Sequence, residues 1–177
     1  ILCISLGCDK NLVDTEMMLG LLNRDGHTFT DDEQEAEIIL VNTCCFIGDA
    51  KEESVNTILE MAELKQTGKC RALIVCGCLA QRYKQEIIDE IPEVDGILGT
   101  TTYDEISAVL AQALNGEKAS LFHDLDALPQ VEAERMITTG GFYAFLKIAE
   151  GCDKHCTYCI IPSLRGRYRS VPMERLI

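Results

Sequence analysis

The chain has 177 residues, 47% of them hydrophobic, and carries 29 acidic against 16 basic side chains, for a formal net charge of −13. That length allows one ordinary domain and part of a second, and the acidic balance argues against direct binding of nucleic-acid backbones. Ten cysteines, with Cys44 and Cys45 adjacent and Cys76 and Cys78 one residue apart, suit no disulfide framework and point to metal-binding or catalytic thiols in a reducing cytoplasm.

In chain order, residues 1–6 read as a buried strand and 11–24 as a helix with apolar Leu12, Met18, Leu19 and Leu22, closed by Gly26. A second strand is expected over 37–42, followed by a helix over 49–65 with Val55, Ile58, Leu59 and Ala62 on one face. A third strand covers 72–76, and a third helix runs over 79–91 to Pro92. A short strand at 96–99 and a helix at 103–114, stopped by Asn115-Gly116, complete the alternation. Strands alternating with helices imply βαβ crossovers, so the fold class is α/β with a mostly parallel sheet. Residues 117–141 lose the pattern and read as a linker, and 142–148 read as a fresh strand. The expected organisation is therefore an α/β domain over 1–116, a linker over 117–141 and the beginning of another domain over 142–177.

Cys8, Cys44 and Cys78 each follow one of the first three strands. All strand C-termini of a parallel sheet lie along one edge, where ligand sites of open α/β sheets form. Three distant cysteines thus meet at one edge, beside helix starts whose dipoles favour thiolates. Gly7, Gly77 and Gly99 would let backbone approach an inorganic cluster there. The plainer alternative, small core residues, accounts for Cys3, Cys70 and Cys76, while Cys45 should point away from Cys44. Asn11 and Asp14, one helical turn apart, could line this site or could equally be a helix cap and a solvated first-turn acid.

The stretch from Glu150 to Cys159 carries Cys152, Cys156 and Cys159 at C-x3-C-x2-C spacing. Structural zinc and a closed four-iron cluster each want four ligands. Three thiolates hold three corners of a four-iron cluster and leave one iron open. The alternative is half of a zinc knuckle, Cys156 and Cys159 helped by Cys152 or His155, although no second Cys/His pair follows. Arg165, Arg167 and Arg169 alternate after this loop. They could grip a cofactor, an acidic substrate group or a carboxylate of the N-terminal domain, or form a solvated basic stretch. His27 and His123 belong to no visible constellation.

The C-terminal spacing resembles the signature of the radical S-adenosylmethionine (SAM) enzymes, and Tyr158 sits where they usually carry an aromatic that packs near the adenine. Both cysteine sets together resemble the methylthiotransferases, a radical SAM family with two four-iron clusters. The resemblance rests on Ser5-Leu-Gly-Cys-Asp-Lys-Asn-Leu-Val-Asp-Thr-Glu16, Val41-Asn-Thr-Cys44, Cys76-Gly-Cys-Leu-Ala-Gln-Arg82, and Ala149-Glu-Gly-Cys152 through Cys159 to Ser170. It covers essentially the whole chain apart from the linker. It implies that Cys8, Cys44 and Cys78 hold an auxiliary [4Fe-4S] cluster, and Cys152, Cys156 and Cys159 the SAM-binding [4Fe-4S] cluster. It also implies S-adenosylmethionine as cofactor and an electron donor such as flavodoxin or ferredoxin. One SAM would methylate a sulfur at the auxiliary cluster. Another would be cleaved to a radical that removes hydrogen from a substrate C–H, and the carbon would then take up the methylthio group.

Ser-Leu-Gly-Cys-x-Lys-Asn and Ile-Pro-Ser-x-Arg-Gly-Arg-Tyr-Arg-Ser resemble the branch that modifies the β-carbon of an aspartate in the twelfth small-subunit ribosomal protein. The alternatives are the branch acting on tRNA adenosine and, in another class, a non-catalytic metal or Fe–S module. From Leu164 onward there are four arginines and one glutamate, so the first 163 residues hold 28 acids against 12 bases. That surface suits a basic protein partner. No apolar run is long enough to span a membrane, and no basic region precedes the first strand, although residues could be missing upstream of Ile1. The family's SAM domain is a partial (β/α) barrel followed by a TRAM domain, and a barrel needs on the order of 200 residues. The chain is therefore expected to be a piece of a larger enzyme, holding the start of that barrel and inactive alone.

Overall fold

The computed structural model describes residues 1–129 and 134–176. A five-stranded parallel sheet, β1 (Leu2–Ser5), β2 (Ile38–Thr43), β3 (Ala72–Gly77), β4 (Gly96–Leu98) and β5 (Ala119–Leu121), runs in sequence order. The register aligns Ile4 with Val41, Val41 with Val75, and Val75 with Ile97. β2 and β3 are buried along their whole lengths, which is why they read as unbroken apolar runs rather than alternating ones.

Helices cover both faces. Ile39, Val41, Leu73 and Val75 pack with Ile58 and Met61 of α2 (Gly48–Thr67), Leu79 and Ala80 of α3 (Cys78–Tyr83), and Ile87 and Ile88 of α4 (Gln85–Glu90). Ile38, Leu40, Ile74 and Cys76 pack with Met18 and Leu22 of α1 (Asp9–Arg24) and Ile106, Val109 and Leu110 of α5 (Ile106–Leu114). Successive strand residues thus feed opposite layers.

Four local expectations change. The single helix expected over 79–91 is two, broken where Lys84 adopts φ 46°. A 3-10 turn, Tyr103–Glu105, precedes α5. Residues 142–148 form no strand; the extended backbone pairs only as β6 (Ala149–Glu150), antiparallel to β7 (Arg169–Ser170). Within 142–148 the ladder reaches only Ile148, whose O accepts from Val171 N at 2.9 Å, and Phe142, Tyr143, Leu146 and Ile148 stay exposed. β5 falls inside the stretch read as a linker. Further on, Arg135 and Thr138 bind Glu16 of α1, and α6 (Ile161–Arg165) follows the Cys152–Cys159 loop. Among the described residues no helix is long and apolar enough to cross a membrane.

Candidate metal centre

The C-terminal edge of the sheet is organised by Asn11, fully buried in the first turn of α1. Its Nδ2 donates to Leu6 O at 2.8 Å and to Thr43 O at 2.9 Å. Leu6 ends the first strand region just before Gly7-Cys8, and Thr43 immediately precedes Cys44. The Asn11 Oδ1 lies 3.9 Å from Cys78 Sγ. One amide therefore ties together the three turns that carry Cys8, Cys44 and Cys78. Asn42 reinforces the join, donating to Asn11 O and to Thr15 Oγ1, both at 2.9 Å.

Each cysteine sits differently. Cys8 is exposed and precedes α1 as its N-cap residue. Cys44 is buried and clamped by Ser54, whose Oγ accepts from Cys44 N at 2.9 Å and donates to Cys44 O at 2.8 Å. Cys78 opens α3. Burial pushes its thiol up, Arg165 beside it pulls the other way, and Cys44 and Cys8 are near enough to add to the rise. Cys45 points into the core under α2 and α3, donating to Cys78 O at 3.2 Å, and desolvation takes its pKa to about 11.

The glycines at this edge serve protein packing. A Cβ on Gly7 (φ +88°) would lie 2.6 Å from Cys44 Cβ and 2.8 Å from its Sγ. A Cβ on Gly77 (φ +87°) would strike Asn42 and Thr43. Gly99 faces Gln81 and Phe122 rather than the cysteines. Asn11 and Asp14 are neither cap nor solvated acid, because both are buried inside the site.

Asp14 belongs to a charge cluster that joins the two halves of the chain. Arg165 Nη1 donates to Asp14 Oδ2 at 2.7 Å and to Glu150 Oε2 at 3.0 Å, and Nη2 donates to Asn11 Oδ1 at 2.5 Å. Lys147 donates to Asp14 and, at 3.0 Å, to Glu150 Oε2. Burial alone would raise the Glu150 carboxyl, but Arg165 and then Lys147 hold it at about 2. For Arg165, burial opposes the charge while Asp14, Cys78 and Glu150 keep it protonated. Arg169 bonds backbone carbonyls of Arg165 and Arg167, and Arg167 stays exposed near Asp126.

The Cys152–Cys159 loop hangs from this cluster. Cys152 N donates to Gly166 O at 3.1 Å, Tyr168 N to Asp153 Oδ1 at 3.0 Å, and Cys159 N to Cys156 O at 3.0 Å. Cys156 is exposed, Tyr158 is 88% exposed, and His155 lies in the loop with φ 47°. Among the described residues no three His, Cys, Asp or Glu side chains are grouped to hold one metal ion. A zinc needs thiolates within about 4 Å of each other, given bonds near 2.3 Å. A four-iron cluster spreads its ligands over separate irons. Thiols on three separate turns beside a buried guanidinium fit the larger, anionic group.

The sequence did not single out Asn42, Ser54, Glu16 or Arg135.

Residues 1–99 match the family described as "Uncharacterized protein family UPF0004". The chain is 67% identical over 174 residues to a protein of Lachnoclostridium phytofermentans named ribosomal protein uS12 methylthiotransferase RimO. Proteins of the same name from Acetivibrio thermocellus and Clostridioides difficile are 53% and 49% identical. Each alignment covers 98% of this chain. The chain spans about 40% of the length of the first two relatives and 39% of the third.

Proposed function

This chain belongs to the UPF0004 family, and from that premise we propose that the enzyme carrying it is a cytoplasmic radical SAM methylthiotransferase. Its substrate is an aspartate of ribosomal protein uS12. The observation that carries the reading is the gathering of Cys8, Cys44 and Cys78 by Asn11, with a second three-cysteine loop tied to the same point through Arg165. The names of its relatives supply the substrate. The acidic surface suits a basic ribosomal protein.

In this reading Cys8, Cys44 and Cys78 hold the auxiliary cluster, and Cys152, Cys156 and Cys159 hold the SAM-binding cluster with Tyr158 beside the adenine. When bound, the two clusters and SAM supply the electron, the radical and the sulfur, with a flavodoxin or ferredoxin as donor. The residues described above do the placing. Asn11 and Ser54 fix the turns that aim Cys44 and Cys78, while Arg165 and Lys10 keep the loop against the sheet edge, Lys10 donating to Ala149 O at 3.0 Å. Such placement removes the need to bring reacting groups together during the reaction. Residues 1–116 form the auxiliary-cluster domain and 142–177 the start of the SAM domain.

The test is anaerobic turnover by the full-length enzyme, reconstituted with iron and sulfide, offered uS12 and tRNA separately. Mass spectrometry should find a methylthio group on a uS12 aspartate. Modification of tRNA alone overturns the substrate, and stable zinc without iron uptake overturns the chemistry.

A further inference from the structure

The cluster Asp14–Arg165–Glu150–Lys147 is deeply buried. Asp14, Arg165 and Glu150 side chains are each 4–5% exposed. Two carboxylates face the two buried cations there, with the half-exposed Lys10 at 3.8 Å from Glu150 Oε1, and the position of each charge rather than their sum decides the field. The guanidinium is the member that points toward the cysteine edge. Its Nη2 and the Cys78 Sγ share one acceptor, Asn11 Oδ1, at 2.5 and 3.9 Å. The carboxylates lie on its other side: both bond Nη1. A cluster held at Cys78 therefore meets the positive end of this arrangement first. Desolvated charges act strongly over such distances, because neither water nor salt screens them.

We propose that Arg165, supplied by the segment that follows the SAM loop, is a positioning residue for the auxiliary cluster: its fixed charge raises that cluster's reduction potential, and Asp14 moderates the effect. The inference rests on Cys8, Cys44 and Cys78 holding that cluster. Reduction adds one electron, and so one negative charge, to the cluster. A buried cation beside one thiolate favours the reduced form, and net charge near the irons is one of the levers that set these potentials. The arrangement also makes the auxiliary site depend on the other half of the chain, since the guanidinium at Asn11 comes from position 165.

The experiment uses the full-length enzyme with Cys152, Cys156 and Cys159 replaced by alanine, so that only the auxiliary cluster loads. Potentials are read by EPR-monitored titration with dithionite. Arg165→Gln should make reduction at least tenfold less favourable, a shift of about 59 mV to more negative potential for one electron. Asp14→Asn, which unmasks the guanidinium, should shift the potential the opposite way. Arg165→Lys, which keeps a charge, should stay between wild type and Arg165→Gln. A merely structural role would impair iron retention in the Arg165→Gln and Asp14→Asn variants alike without opposite shifts. If Arg165→Gln does not retain iron, Asp14→Asn and Arg165→Lys decide the matter by the same signs. Unchanged potentials, or shifts of one sign in Arg165→Gln and Asp14→Asn, overturn the inference while leaving the two-cluster reading intact. A triple-alanine parent that loads no iron removes the two-cluster reading, and the inference with it.

Discussion

Asp14 Oδ2 accepts a hydrogen bond from Arg165 Nη1 at 2.7 Å across 151 positions of sequence. The bond joins the first helix, which begins just after Cys8, to the helix that follows Cys159. Both partners are buried, so removing either unbalances the charge of a cluster that water does not reach. Lost buried partners of this kind typically cost about 3–5 kcal/mol. The two cysteine sets are thus parts of one folded unit.

Asn11→Asp is the most economical test of the edge. It keeps the shape of the side chain but replaces the amide that donates to Leu6 O and Thr43 O with an acceptor. Two carbonyls would then face a carboxylate oxygen. Urea denaturation should report a loss of about 3 kcal/mol, and the full-length enzyme should retain less iron after reconstitution. Unchanged stability would mean that Asn11 does not organise the site.

Gly7→Ala and Gly26→Ala form a matched pair. Both glycines have φ near +88°, but nothing lies within 4 Å of a Cβ on Gly26, whereas a Cβ on Gly7 meets Cys44. Gly26→Ala should cost about 1 kcal/mol, the price of a left-handed alanine. Gly7→Ala should cost roughly 2–3 kcal/mol, adding the overpacking of Cys44. Equal thermal shifts in the two variants would refute the packing argument.

Glu16 gives a pH dependence. Burial would raise its carboxyl, but bonds from Thr138 and Arg135 outweigh that and hold it below 4.5. A carboxylate with a lowered folded pKa contributes stability that is fully present above its unfolded value. That contribution is lost as the pH falls through the folded value. Glu16→Gln should therefore cost about 2 kcal/mol at pH 7, and the gap to wild type should narrow below about pH 4. Denaturation curves at a series of pH values check this; a gap independent of pH would contradict it.

Iron content separates the two cysteine sets. In the full-length enzyme, Cys44→Ala and Cys156→Ala should each remove about four of roughly eight irons. Cys45→Ala should leave the count unchanged, because Cys45 points into the core and donates to Cys78 O. Loss of iron from Cys45→Ala comparable to that from Cys44→Ala would reassign the ligand.

The sheet was legible because β2 and β3 are buried on both faces, and such strands spell continuous apolar runs. Placing Cys8, Cys44 and Cys78 after successive strands then followed from parallel topology. Segment 142–148 misled for the same reason in reverse: Phe142 and Leu146 look like strand residues, but pairing depends on a partner edge that local sequence does not encode. β5 is three residues long and has no period to detect. Arg165 was visible as part of an alternating basic stretch, with a carboxylate of the N-terminal domain among its possible partners. Nothing local named Asp14 as that carboxylate. Contacts such as Glu16 with Arg135, 119 positions apart, exist only once the chain has closed.

The two thiol sets differ in how much of the chain must be folded before they can hold iron. Cys152, Cys156 and Cys159 lie within eight residues and can come together in a largely unfolded chain. Cys8, Cys44 and Cys78 span 71 positions and meet only when three strands are in register. On the proposed ligand assignment, iron capture at the sheet edge is therefore a late event, available only to molecules that have folded correctly. The same dependence runs backward: a destabilising change far away, in the core of β2 or β3, should empty this edge while leaving the loop able to bind.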